Sequence, residues 1–147
     1  IVGIAIGDGN LSNSNGRAVK LRVTCDNKYP KLKEHIKESL KIILPKNKVS
    51  EIKRKGCVDV YVHSNTLEKL LGWRAKGGSK FKQDVSIPLW ILSNKTYLKE
   101  CLKGLVQTDG SIYKDRGYTM VNFTTIIENL ALTYFESLQK LRYQPQI

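Results

Sequence analysis

The feature that most constrains the fold of this chain is a near-repeat. The opening stretch IVGIAIGDG and the later CLKGLVQTDG each run an apolar helical pattern, with small residues four apart, directly into Asp-Gly and then a strand-like segment. Gly3 and Gly7 bare one helix face in the first copy, as do Gly104 and Thr108 in the second. A helical glycine costs about 1 kcal/mol relative to alanine. Two in so short a run point to a compensating benefit, the close approach of another helix backbone that small-residue faces permit. Two such helices laid side by side would bring Asp8 and Asp109 together at one shared end.

The segments between follow the same plan. Gly9–Ser14 and Arg17–Cys25 predict a hairpin, with Asn13, Ser14, Asn15 and Gly16 supplying turn chemistry. In its second strand Val19, Leu21, Val23 and Cys25 alternate with Lys20, Arg22 and Thr24, so one face is apolar and the other cationic and polar. Pro30 suits the first turn of a helix reaching about Leu44, with Leu32, Ile36, Leu40, Ile43 and Leu44 at helical spacing. Val49–Lys55 and Cys57–His63 predict a second hairpin around Gly56, in which Val58, Val60 and Val62 oppose Asp59, Tyr61 and His63. Asn65 with Glu68 has the spacing of a reciprocal helix cap ahead of Leu67–Leu71.

A basic glycine-containing loop, GWRAKGGSKFKQ, then leads to IPLWILSN, and from Lys95 the pattern restarts. A helix runs into Asp109-Gly110, followed by strands Ser111–Lys114 and Tyr118–Thr125 and a helix from about Glu128 to Tyr143. Asp8 to Gly16 spans eight residues, as does Asp109 to Gly117. Val121 and Phe123 are the expected inward pair of the later strand, with a one-residue slip against the first copy that a bulge would absorb. The expected fold is α+β: two pseudo-symmetric αββαββα repeats, residues 1–94 with the basic connecting segment and residues 95–147. The second is expected to be truncated after its second long helix, since Pro145-Gln146-Ile147 stands where Pro45 stood in the first.

Charge narrows the partner. Lys and Arg number 25 against 13 Asp and Glu, a net charge of +12, which favours a polyanion over an acidic small molecule. The three cysteines, Cys25, Cys57 and Cys101, lie scattered in apolar-patterned segments with neither CxxC nor metal-ligand spacing to histidine, as reduced core thiols do. His35 and His63 are the only histidines and are too isolated for zinc or acid–base pairing. No apolar run is long enough to span a bilayer, and the chain is expected to be soluble, without a membrane partner.

One Asp-Gly after an apolar run is an ordinary turn or cap. Two copies with matched flanks point instead to a shared site, in which paired carboxylates beside a basic sheet attract a divalent cation. Mg²⁺ binds through one or two carboxylates, with carbonyls, waters and phosphate oxygens completing its shell. A metal so held activates water for phosphodiester hydrolysis.

IVGIAIGDG and LKGLVQTDG resemble the two signature helices of the LAGLIDADG homing endonucleases. The stretch LGWRAKGGSKFKQDVSIPLWIL before CLKGLVQTDGSIY is similar to the junction of their single-chain, two-repeat members. The resemblance covers essentially the whole chain. It implies two saddle-shaped antiparallel sheets in the DNA major groove and sequence-specific double-strand cleavage with Mg²⁺ or Mn²⁺, Ca²⁺ being expected to bind without supporting cleavage. It implies metal binding by Asp8 and Asp109, with the carbonyls of Gly7 and Thr108 as further ligand candidates. A catalytic basic residue is implied among Lys76, Lys80 and Lys82, with Lys80 the one expected.

Base and backbone contacts are implied on outward strand positions, which by alternation are Asn10, Ser12, Lys20, Arg22, Thr24, Lys53, Lys55, Asp59, Tyr61 and His63, then Ser111, Tyr113, Asn122 and Thr124. The implied partner is double-stranded DNA. The implied state is intracellular and monomeric with an internal pseudo-dimer, unless the truncation forces association. The same fold also serves RNA-binding intron maturases and cleavage-inactive DNA-binding regulators. Intact Asp8 and Asp109 speak against the regulators.

Overall fold

A computed structural model of the chain describes residues 1–14 and 16–147; Asn15, expected among the first hairpin's turn residues, lies outside the described residues. The elements run α1 (Val2–Asp8), β1 (Gly9–Ser12), β2 (Lys20–Asp26), α2 (Pro30–Ile43), β3 (Val49–Arg54), β4 (Cys57–His63), α3 (Leu67–Leu71) and α4 (Leu89–Leu92). They continue with α5 (Lys95–Asp109), β5 (Gly110–Asp115), β6 (Tyr118–Phe123) and α6 (Glu128–Lys140). The expected α+β architecture is present, with an antiparallel sheet in the order β1-β2-β4-β3 and a second, two-stranded sheet β5-β6.

The period-2 pattern of β2 and β4 sets the larger sheet. Leu21 faces Val62, Val23 faces Val60 and Cys25 faces Val58, so one side of the sheet is continuously apolar. Onto that side pack the buried Ile36 and Leu40 of α2 and α1, which is buried from Val2 to Ile6. α1 is only seven residues long and has no side-chain cap at its N-terminus, so burial rather than intrinsic propensity holds it helical. α5 is better specified locally. Asn94 caps it by accepting from the Tyr97 N–H at 3.0 Å, and Leu98, Cys101, Leu102 and Leu105 make its buried stripe.

Three local expectations are corrected. α3 is preceded by Thr66 rather than an Asn65 cap. The Glu68 carboxylate, instead of closing a capping box, accepts from the Ala75 N–H at 3.0 Å and so fastens the loop beyond the helix. No bulge is needed in β6: β5-β6 pairs in unbroken register from Gly110↔Phe123 to Asp115↔Tyr118. The two-residue turn Arg116-Gly117 closes the β5-β6 hairpin with both residues at positive φ, as a type I′ hairpin turn requires. Phe123 does turn inward, stacked on Tyr134 of α6 with ring centroids 4.3 Å apart. Val121 shares its side but is exposed, because α6 reaches only the base of the hairpin.

Candidate active site

The two glycine-bared helices meet backbone to backbone. A Cβ on Gly3 would overlap the Cys101 carbonyl, and one on Gly104 would stand 2.7 Å from the Ile4 nitrogen. At the far end, a Cβ on Gly7 would overlap Thr108 and stand 3.1 Å from Asp109 Oδ2. Gly3 opposes Cys101 and Gly104 while Gly7 opposes Thr108, so α1 and α5 run in the same direction and end together.

Each then passes directly into a strand, Asp8 to β1 and Asp109 to β5. The Thr124 N–H donates to the Asp109 carbonyl at 3.2 Å, pinning the second junction to the end of β6. The shared end is negative for two reasons: both helix macrodipoles point their carbonyl ends there, and both terminal residues are aspartates.

Lys80 enters this end from the connecting loop. Its Nζ donates to the carbonyls of Ile6 at 2.6 Å and Gly7 at 2.7 Å, with Ala5 at 3.4 Å, and it lies 5.7 Å from the centroid of the buried Trp73 ring. An ammonium there satisfies the Ile6 and Gly7 carbonyls at the open end of α1, the Ala5 carbonyl already accepting from the Gly9 N–H. Lys76 and Lys82 are exposed on the same loop. Of the three candidate lysines, Lys80 is the one held at the paired helix ends, and the Gly7 carbonyl expected as a metal ligand already accepts from it.

The electrostatics show the crowding. Loss of hydration pushes the Asp8 carboxyl above its usual range, the neighbouring Asp109 charge adds to this, and Lys80 opposes it. Asp109 is likewise raised by loss of hydration and eased back by Lys80. Burial pulls the Lys80 ammonium down, against the pull of Asp109 and then Asp8. One lysine therefore only partly compensates two acids. Among the described residues no group of three or more His, Cys, Asp or Glu could hold a metal. What the site offers is an oxygen-only pair of carboxylates beside helix-end carbonyls, a donor set that suits a hard cation completing its shell with water or phosphate.

The outer side of the larger sheet continues from these junctions. Asn10, Ser12, Lys20, Arg22, Thr24, Asp59, Tyr61 and His63 share that side, with Asn10 opposite Arg22, Ser12 opposite Lys20, Lys20 opposite His63, Arg22 opposite Tyr61 and Thr24 opposite Asp59. Lys20 Nζ sits 4.4 Å over the Tyr61 ring, which meets His63 edge-on at 5.8 Å. Lys53 and Lys55 do not belong to this side. Lys53 pairs with Val58 and therefore faces the helices, and Lys55 lies in the turn with Gly56.

The outward positions of β3 are Ser50, Ile52 and Arg54, which the sequence reading missed. Counting back from inward Val58 across a two-residue turn at Gly56 would have found them. On the smaller sheet Ser111 lies opposite Asn122 and Tyr113 opposite Met120, all four on one side, and exposed Thr124 follows beyond the strand end.

Comparison with solved structures identifies the architecture. The chain is similar to I-DmoI in complex with DNA and Ca, with a TM-score of 0.65 and 17% identity, covering 96% of this chain and 69% of that one. It is similar to mesophilic variants of the homing endonuclease I-DmoI, with a TM-score of 0.67 and 16% identity, covering 99% and 72%. An I-DmoI variant with its target DNA and Mn gives 0.62 and 17%, covering 96% and 72%. The fold is that of these homing endonuclease structures. No protein-family profile matches the chain, and no curated protein matches it.

Proposed function

We propose, from a fold shared with the homing endonuclease I-DmoI, that this protein is a sequence-specific, divalent-metal-dependent double-stranded DNA endonuclease of the LAGLIDADG type, acting at DNA inside the cell. In this reading it works as a monomer whose parts 1–94 and 95–147 are pseudo-symmetric halves. The observation that carries the reading is the convergence of Asp8 and Asp109 at the paired ends of α1 and α5, with Lys80 against them, beside a cationic strand surface.

The geometry supports one division of labour. Asp8 and Asp109 would hold Mg²⁺ or Mn²⁺, with the Thr108 and Gly7 carbonyls as neighbouring oxygens. When bound, such an ion lowers the pKa of water and neutralises charge on a leaving oxygen. Lys80 keeps the α1 end in place and tempers the repulsion between the acids. Its charge would also favour the approach of a scissile phosphate. Asn10, Ser12, Lys20, Arg22, Thr24, Tyr61 and His63, with Ser111, Tyr113, Asn122 and Thr124, form the surface on which the duplex is laid. Two-stranded ribbons of this kind fit the major groove, and a large share of their contacts goes to phosphates.

The test is cleavage selection from a randomised duplex library in Mg²⁺, Mn²⁺ and Ca²⁺, repeated with Asp8→Asn and Asp109→Asn. Wild-type cutting in Mg²⁺ or Mn²⁺ that is lost in both variants is expected. Cutting that survives in both removes the mechanism. Duplex binding without any cutting favours a DNA-binding regulator, and preference for a structured intron RNA favours a maturase.

A further inference from the structure

The outer side of the larger sheet carries one feature that a surface for a polyanion has no general need of, a buried carboxylate. Asp59 sits among cationic neighbours with only 7% of its side chain exposed, and its Oδ1 accepts from Thr24 Oγ1 at 2.7 Å and from Arg54 Nη2 at 2.8 Å. A withdrawn acid beside the path of a phosphate backbone costs affinity unless it is paired, and here it is paired in a specific geometry. Arg54, 49% exposed, reaches Asp59 through Nη2, and its planar fork carries further N–H donors beyond that contact. A flexible arginine pays side-chain entropy to hold a bidentate contact, and an arginine already clamped by a carboxylate has less to lose.

We infer that Arg54 is a specificity-determining residue that reads guanine in the major groove, aimed by the positioning residue Asp59, which Thr24 fixes in turn. The inference rests on the proposal that this side receives duplex DNA. A guanine presents N7 and O6 as two adjacent acceptors, which the planar arginine fork meets with two pre-organised donors and a lysine meets only through one flexible ammonium. Arg22 also lowers the charge burden of Asp59 from the neighbouring strand, so clamping Arg54 leaves the surface net cationic.

The test is binding selection from a randomised duplex library without cleavage, comparing wild type with Arg54→Ala, Arg54→Lys and Asp59→Asn, each checked for an unchanged melting profile. Wild type is expected to fix a guanine at one position, about tenfold to a hundredfold over other bases. Arg54→Ala should lose that preference. Arg54→Lys, which keeps the charge and sits at an exposed position, should keep overall affinity and salt dependence while holding the guanine less strictly than wild type. Asp59→Asn should relax the same position and no other.

A guanine that stays fixed in Arg54→Ala overturns the inference, as does a uniform loss of affinity in Arg54→Ala with an unaltered base profile, which would mark a phosphate contact. Because the readout is binding, a wild type that selects the guanine but never cuts sinks the nuclease reading and leaves this one standing. A wild type that binds no duplex removes both.

Discussion

Replacing Gly104 with alanine separates two opposing effects by sign. Gly104 lies inside α5, where helix propensity alone predicts that alanine stabilises by about 1 kcal/mol. The new Cβ would stand 2.7 Å from the Ile4 nitrogen and 3.1 Å from the Cα and carbonyl carbon of Gly3, where ordinary contact begins at 3.4 Å. Every obstacle is backbone, so no side chain can swing aside, and α1 must withdraw by about 0.7 Å, a gap that forfeits a quarter to a half of the dispersion attraction across it.

Overpacking of this kind costs about 1–3 kcal/mol, towards the upper end where both partners are main chain, leaving a net loss of about 1–2 kcal/mol. Urea denaturation should show a lower midpoint with an unchanged slope. The same withdrawal draws Asp8 away from Asp109, so metal-supported cleavage should fall by more than about tenfold, as misplacement of reacting groups does. A Gly104→Ala protein as stable as wild type, or more so, would refute the close-approach reading of both helices.

Two further outcomes follow from the charges at that end. Folded-state carboxyls raised above the usual 3.8 contribute stability that is complete below that value and is lost as pH rises through their raised values. Metal-free Asp8→Asn should therefore be more stable than wild type at neutral pH and indistinguishable from it in acid. Mg²⁺ should stabilise wild type at neutral pH only, and equal metal-free stabilities across the whole pH range would contradict the crowding. Lys80→Met removes charge-assisted donors from the Ile6 and Gly7 carbonyls, at a cost of about 1.5–3 kcal/mol. With the opposing charge gone, carboxyl titrations of Asp8 and Asp109 followed by NMR should move further up, and titrations that stay in place would show that Lys80 does not temper them.

The elements were legible where one period dominated locally. Val58, Val60 and Val62 alternate so cleanly that β4 is specified to its ends, and Gly3, Gly7 and Gly104 announced a helix contact that nothing else explains. Face assignment failed where a strand carries no buried residue of its own. β3 reads VSEIKR, whose apolar Val49 and Ile52 are three apart and so lie on opposite sides, leaving its pleat to be dictated by register with β4, and Arg54 rather than Lys53 turns outward. Glu68 misled for a similar reason: capping-box spacing is local, whereas its partner, the Ala75 N–H, is placed by the turn at Gly72. Lys80 could be proposed from sequence only as one of three, because its selection depends on a loop that returns to residues some seventy positions earlier.

No residue intervenes between helix and strand at either junction, since Asp8 closes α1 and Gly9 opens β1, while Asp109 closes α5 and Gly110 opens β5. The chain has no slack there. A torque applied to either ribbon by an ill-fitting duplex is delivered undamped to the carboxylate at its root, so an imperfect target would be penalised in turnover even where it is still bound.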